Sequence, residues 1–162
     1  MQPNVNAEAH EIVPGLWLGS AKAAEDIKFL RSKGISAIVN ATKDLPFYHA
    51  DPRVDREYTR IDVDDNLQKD QIERMFHMLS HATGFVHKNH RMQNKAVLIH
   101  CFAGIQRSAC ITAAYLMKYY DMSLKQAIVT VVSKRPVAFY RGINFLQTLK
   151  WWEQTLKQKC IQ

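Results

Sequence analysis

The chain predicts an α/β fold, with helices flanking a mostly parallel central sheet, and three observations carry that expectation. Short apolar runs of strand type, at 35–41 and 96–99, alternate with long segments of helical periodicity. Strands interleaved with helices pack as a sheet covered by its own crossovers. The apolar run Ala96-Val97-Leu98-Ile99 leads through a glycine-containing loop into a helical run at 109–120, and such sheets gather ligands at the carboxyl ends of their strands. The length of 162 residues, 47% hydrophobic and 23% charged, suits one globular domain and is too short for two.

Residues 1–10 are polar and are expected to be loose, residues 11–158 to form the single domain, and 159–162 a short tail. Pro14-Gly15 reads as a tight turn between the strands Ile12-Val13 and Leu16-Trp17-Leu18. Ser20 is the N-cap of a helix running to about Lys33, with Gly34 as its stop. A buried strand follows at 35–41, then a loop with two prolines to residue 55. Ile61 and Val63 alternate with Arg60 and Asp62, as in a half-buried strand. Ile72, Met75, Phe76, Leu79 and Ala82 keep helical spacing and predict a helix over 69–88. The basic run at 87–95 then reads as a solvated connection. Beyond the glycine loop, Ile111, Ala114, Tyr115 and Met117 continue a buried helix. Ser123 and Gln126 form a capping box for the next helix, which Pro136 closes. Phe145, Leu149, Trp152 and Leu156 give the last helix its apolar face.

No apolar stretch is long enough to span a bilayer, and the first residues lack a signal-peptide pattern. The three cysteines, Cys101, Cys110 and Cys160, are an odd number without metal-type spacing. Reduced thiols and an intracellular setting, cytoplasmic or nuclear, are therefore expected, with no metal and no cofactor. The net charge of +7 favours anionic partners. A phosphorylated protein is the expected one; nucleic acid is not expected, though the charge leaves it open, and the oligomeric state is unassigned.

The chemistry concentrates in His100-Cys101-Phe102-Ala103-Gly104-Ile105-Gln106-Arg107-Ser108. A strand that ends in a short loop and feeds a helix N-terminus turns successive N–H groups toward a bound anion, and the helix dipole adds positive potential. A cysteine at the mouth of that loop has its thiolate stabilised. An arginine at the helix start grips two phosphate oxygens at once, in a geometry that lysine does not match. Cys101 is thus the candidate nucleophile and Arg107 the candidate clamp. The N–H groups of Phe102, Ala103, Gly104, Ile105, Gln106 and Arg107 form the expected phosphate cradle. Gly104 is expected to allow close backbone approach to the ligand. Ser108 is placed to donate to the Cys101 sulfur, although an N-cap serine explains the same residue type.

The segment resembles the Cys-x5-Arg signature of the protein tyrosine phosphatase superfamily, and its Arg-Ser-Ala ending resembles the dual-specificity phosphatases. Glu11 to Ser20, Val39-Asn40-Ala41-Thr42 and Ile61-Asp62-Val63-Asp64-Asp65-Asn66 resemble further elements of that family in the same order, covering about residues 10–158. The resemblance implies that Asp65 is the general acid, with adjacent Asp64 as its rival. It implies that His100 fixes the loop from behind, and that Arg135, Tyr140 and Arg141 form the substrate rim. A helix-terminal charge explains Arg135 equally well.

Two departures stand out. Gln106 occupies a position where the family commonly has a small residue; a glutamine can still direct its side chain outward, so activity is expected to survive it. The segment Phe139-Tyr140-Arg141-Gly142-Ile143-Asn144-Phe145 lacks the usual Pro-Asn before Gly-Phe. The implied activity is hydrolysis of phosphotyrosine and phosphoserine or phosphothreonine through a cysteinyl-phosphate. A phosphatase for RNA 5′ ends or phosphoinositides, with the same chemistry, and a non-catalytic phosphosite-binding module are the alternatives.

Overall fold

The structure, a computed structural model, describes residues 1–161. Five strands form one sheet in the order β1-β2-β5-β3-β4. β1 (Ala9–Val13) and β2 (Leu16–Gly19) are an antiparallel hairpin about Pro14-Gly15. β3 (Ile35–Asn40), β4 (Glu57–Arg60) and β5 (Ala96–His100) are mutually parallel, and β2 pairs parallel with β5. Central β5 is therefore flanked on both sides, and its continuous apolar run meets helices on both faces.

One face carries the larger core. Val97 and Ile99 of β5 pack there with Ala37 and Val39 of β3, against α3 (Lys69–His87), α4 (Arg107–Tyr119), α5 (Leu124–Lys134) and α6 (Leu146–Lys159). α4 lies in the middle and is buried from Ser108 to Met117, which accounts for its run of alanines and aliphatic residues. The other face is smaller: Leu98, Ile35 and Ile38 meet Ala24 and Leu30 of α1 (Ala21–Glu25) and α2 (Ile27–Ser32). The Ser123–Gln126 capping box starts α5 as the sequence suggests.

Several expectations are corrected. The helix expected at 20–33 is broken at Asp26, whose carboxylate accepts from the N–H groups of Lys28 and Phe29 and starts a new helix. The strand expected around Ile61 and Val63 lies earlier, at Glu57–Arg60; Ile61 and Val63 are fully buried but lie beyond the sheet. The N-terminal ten residues are not loose throughout, because β1 begins at Ala9 and His10 is buried. The basic run at 87–95 is only partly a solvated connection: α3 continues into a π-helical turn, Lys88–Met92, that buries Asn89 and His90, while residues 91–94 are exposed. There His90 bridges Tyr115 Oη (2.9 Å) and the Pro14 carbonyl (2.7 Å). α6 runs to Lys159, one residue past the expected domain end.

Candidate active site

β5 carries His100 to the carboxyl edge of the sheet, and residues 101–106 turn from there into α4, which starts at Arg107. The carbonyls of residues 102–105 are engaged by other parts of the chain, and that of Gln106 by the first turn of α4. Phe102 O accepts from Ala21 N–H (2.9 Å), Ile105 O from Phe139 N–H (2.9 Å) and Gln106 O from Cys110 N–H (2.8 Å). Ala103 O and Gly104 O accept from the Arg135 guanidinium at 3.2 and 2.8 Å. A planar trans peptide directs its N–H opposite its carbonyl, so the N–H groups of 103–107 turn inward. Among the described residues none of them has a protein acceptor. With the N-terminus of α4 they make a concavity suited to a tetrahedral oxyanion.

Cys101 opens this loop and is 3% exposed, its Sγ 3.1 Å from Ser108 Oγ on the first turn of α4. Behind it, His100 Nδ1 donates to the Cys101 carbonyl at 3.1 Å. Burial pushes the His100 imidazole down to about 4, opposed by that hydrogen bond and assisted by the Arg60 and Arg107 charges. It is thus neutral in ordinary buffers. Cys110, fully buried in α4, has its thiol pushed well up by burial. Gly104 has φ +69°, and a Cβ there would lie 2.5 Å from the Gly19 carbonyl group and 2.9 Å from Arg135 Nη2. A glycine is thus required here by the tight approach of β2 and Arg135 as well.

The opposite wall is the segment after β4. Arg107 Nη1 donates to Val63 O at 3.1 Å, and Asp64 N–H donates to Gln71 Oε1 at 2.9 Å. The Asp64 carboxylate pairs with Lys43 at 2.9 Å, whereas Asp65 Oδ1 accepts from the Asn144 carboxamide at 2.8 Å. Asp64, Asp65, Phe102 and Arg107 line a cleft of about 430 Å³ whose remaining wall includes residues 42–45. Sequence reasoning missed that last segment. Its shape comes from Asn40, which accepts from Thr42 and donates to Leu45 O, and from Arg60, which donates to Thr42 O and Leu45 O. A polar Asn closing an apolar strand was the available signal.

Arg135 is a correction. It is 2% exposed and is not a rim residue; besides the two loop carbonyls it donates to Ala7 O and His10 Nδ1, each at 2.9 Å. It clamps the loop from beneath and ties the N-terminal segment to it. Gln106 is another. Its side chain is 7% exposed and turns inward to the 139–145 segment, donating to Gly142 O (2.8 Å) and Tyr140 O (3.3 Å) and accepting from Asn144 N–H (3.0 Å). Tyr140 and Arg141 are exposed, the Arg141 guanidinium 5.6 Å from the Tyr140 ring centroid, but neither lines the cleft. Among the described residues no three His, Cys, Asp or Glu side chains are grouped as a metal would need, and no helix is long and apolar enough to cross a membrane.

Comparison with known proteins agrees with this geometry. The family model "Dual specificity phosphatase, catalytic domain" matches residues 16–155. Human dual specificity protein phosphatase 16 is 32% identical over 157 residues, 97% of this chain and 22% of the human protein. Dual specificity protein phosphatase 1 of Arabidopsis thaliana is 37% identical over 146 residues, 90% of this chain and 69% of the plant protein. Among solved structures, a mouse putative dual specificity phosphatase complexed with zinc tungstate superposes with a TM-score of 0.79 at 28% identity, covering 95% of this chain and 91% of that one. Human DUSP28 gives 0.77 at 28% identity, with 97% and 99% covered. The chain spans about a fifth of the length of the human relative.

Proposed function

The chain belongs to the dual specificity phosphatase family, and on that premise we propose that it hydrolyses phosphotyrosine and phosphoserine or phosphothreonine in proteins through a cysteinyl-phosphate on Cys101. The observation that carries this reading is the loop whose carbonyls from Phe102 to Gln106 are all occupied, next to a buried thiol. Such a preorganised set of donors costs no reorganisation as charge builds on the equatorial oxygens of the transferring phosphoryl group.

In the first step the Cys101 thiolate attacks phosphorus in line, the S–P bond forms and the bond to the leaving oxygen breaks. Arg107, fork-shaped and at the helix start, holds two of the three equatorial oxygens. Asp65 gives its proton to the departing oxygen; in the second step it takes one from water as water attacks phosphorus and the S–P bond breaks. The Ser108 hydroxyl, 3.1 Å from Sγ, donates to the thiolate as it leaves. Asp65 is preferred to Asp64 because Asp64 already serves as counter-ion to Lys43, while the partner of Asp65 is a neutral amide. Neutral His100 holds the Cys101 carbonyl and contributes no competing charge. A thiol nucleophile of this kind needs a reducing compartment, which supports an intracellular site of action.

The deciding experiment is turnover on an aryl phosphate, then on phosphotyrosine and phosphothreonine peptides, 5′-triphosphate RNA and phosphoinositides, without added metal. Hydrolysis of both peptide classes with inhibition by vanadate is the expected result. A strong preference for the RNA or the lipid would replace the substrate assignment and leave the chemistry standing.

A further inference from the structure

The two places where this chain departs from its family's pattern, Gln106 in the phosphate loop and the 139–145 segment, are in contact. Gln106 sits in the loop one residue before Arg107, yet its carboxamide is spent entirely on that segment. Nε2 faces the carbonyls of Gly142 and Tyr140, and Oε1 faces the Asn144 N–H. Two acceptors on one side and a donor on the other leave one orientation for the amide. Asn144 is therefore fixed through its backbone, with buried Phe145 following it, and its own carboxamide reaches Asp65 Oδ1 at 2.8 Å. Among the described residues this is the one hydrogen-bond partner of the Asp65 carboxylate.

We propose that Asn144, held in place by Gln106, is a positioning residue that fixes the Asp65 carboxyl group, so that its transferable proton is carried on Oδ2. The inference rests on the assignment of Asp65 as general acid. A carboxylic acid donates from one oxygen only, and an oxygen accepting from an amide N–H keeps its lone pairs for that bond. With Oδ1 so committed, the proton resides on Oδ2, and rotation of the carboxyl group about its last torsion is restricted. A terminal torsion of this type is otherwise broad and two-fold, so without Asn144 only part of the population presents the proton toward the leaving oxygen. The link also joins the acid to the phosphate loop, since Gln106 is part of that loop.

The test is a double-mutant cycle between Asn144→Ala and Asp65→Asn on phenyl phosphate, a poor leaving group, and on a nitro-substituted aryl phosphate, a good one. Asn144→Ala should lower kcat on phenyl phosphate roughly 3- to 10-fold, the scale of one such hydrogen bond, with KM and vanadate inhibition nearly unchanged. The loss should shrink on the good leaving group and vanish in the Asp65→Asn background. Asn144→Asp, which keeps the shape but removes the donor, should lose at least as much. Equal losses on both leaving groups, or additive losses in the cycle, would overturn the inference. If Asp65→Asn itself shows no dependence on leaving group, the acid assignment fails and the inference with it; if it does and Asn144→Ala behaves as the parent, the inference alone fails.

Discussion

Residues 101–108 and residues 62–66 face each other across the cleft, and the means that hold them differ. On the first side Cys101, Gly104, Gln106 and Ser108 are buried although Phe102 and Ala103 are exposed, and every carbonyl from Phe102 to Gln106 has a donor. On the other, Asp65 and Asn66 are exposed, and among the described residues the carboxylates of Asp64 and Asp65 are each held by one polar contact, with Lys43 and with Asn144. A floor that must stabilise developing charge gains from rigidity, because preformed donors need not reorganise. A wall that must first give a proton and then accept one gains from access to solvent. Substitutions on the floor should therefore act on all substrates alike, and substitutions on the wall should depend on the leaving group.

The largest effect is expected at the centre of the floor. Cys101→Ser should abolish turnover on every substrate while leaving vanadate or phosphate binding measurable, since a serine hydroxyl is not ionised near neutral pH but the N–H cradle remains. Arg107→Lys should lose roughly 10²- to 10³-fold despite equal charge, because an ammonium cannot replace the planar fork. Measurable hydrolysis by a clean Cys101→Ser preparation would falsify the thiolate mechanism.

The wall comes next. Asp65→Asn should lower kcat by roughly 10²-fold on phenyl phosphate and by much less on a nitro-substituted aryl phosphate. Asp64→Asn should have a small effect with no such dependence, since the change weakens a partly exposed ion pair with Lys43. The reverse outcome would move the acid by one residue and undo the contrast between a paired and an amide-held carboxylate.

Much of this arrangement was legible in the chain, and the exceptions share a cause. The order of strands and helices follows from periodicity, and the loop follows from the spacing of Cys101, Gly104 and Arg107. Arg135 and Gln106 were misread because a polar residue type says nothing about the acceptors that tertiary structure supplies. Arg135 finds four of them beneath the loop, and Gln106 finds carbonyls that only the 139–145 turn provides. His90, within a basic run, is buried for the same reason. Ile61 and Val63 show the converse limit: alternation reported correctly that both are buried, but not that the sheet ends at Arg60. Asp26 carried a helix-start signal that the longer apolar pattern around it concealed.

Acid should distinguish floor from wall by stability rather than rate. His100 is held neutral by burial, its imidazole pushed from 6.5 down to about 4. The unfolded chain then binds a proton that the folded chain refuses, so stability falls as pH drops from about 6.5 toward 4. A shift of that size is worth about 3 kcal/mol. His10, lowered in the same direction chiefly by burial, adds to the trend. Urea unfolding at pH 7 and at pH 4.5 should show the drop, and His100→Asn should flatten it while costing stability at pH 7. An unchanged pH dependence in His100→Asn would mean that the floor does not owe its acid sensitivity to this group.

The smallest expected effect separates two arginines that the sequence places together at the rim. Arg135 is committed beneath the floor, so a second anionic group on a substrate cannot be met there. Arg141 is exposed beside the Tyr140 ring and has no acidic partner among the described residues. Its contact with a substrate is between exposed charges, where a pair is worth about 0.5 kcal/mol and fades with salt. Arg141→Ala should therefore lower kcat/KM about two- to threefold for a phosphopeptide with a neighbouring acidic residue, and leave an aryl phosphate with no second charged group unaffected. The difference should disappear as ionic strength rises toward 1 M, where the screening length falls to about 3 Å. A loss shared by the aryl phosphate would place Arg141 with the floor, and its persistence at high salt would mean a buried contact rather than a steering charge.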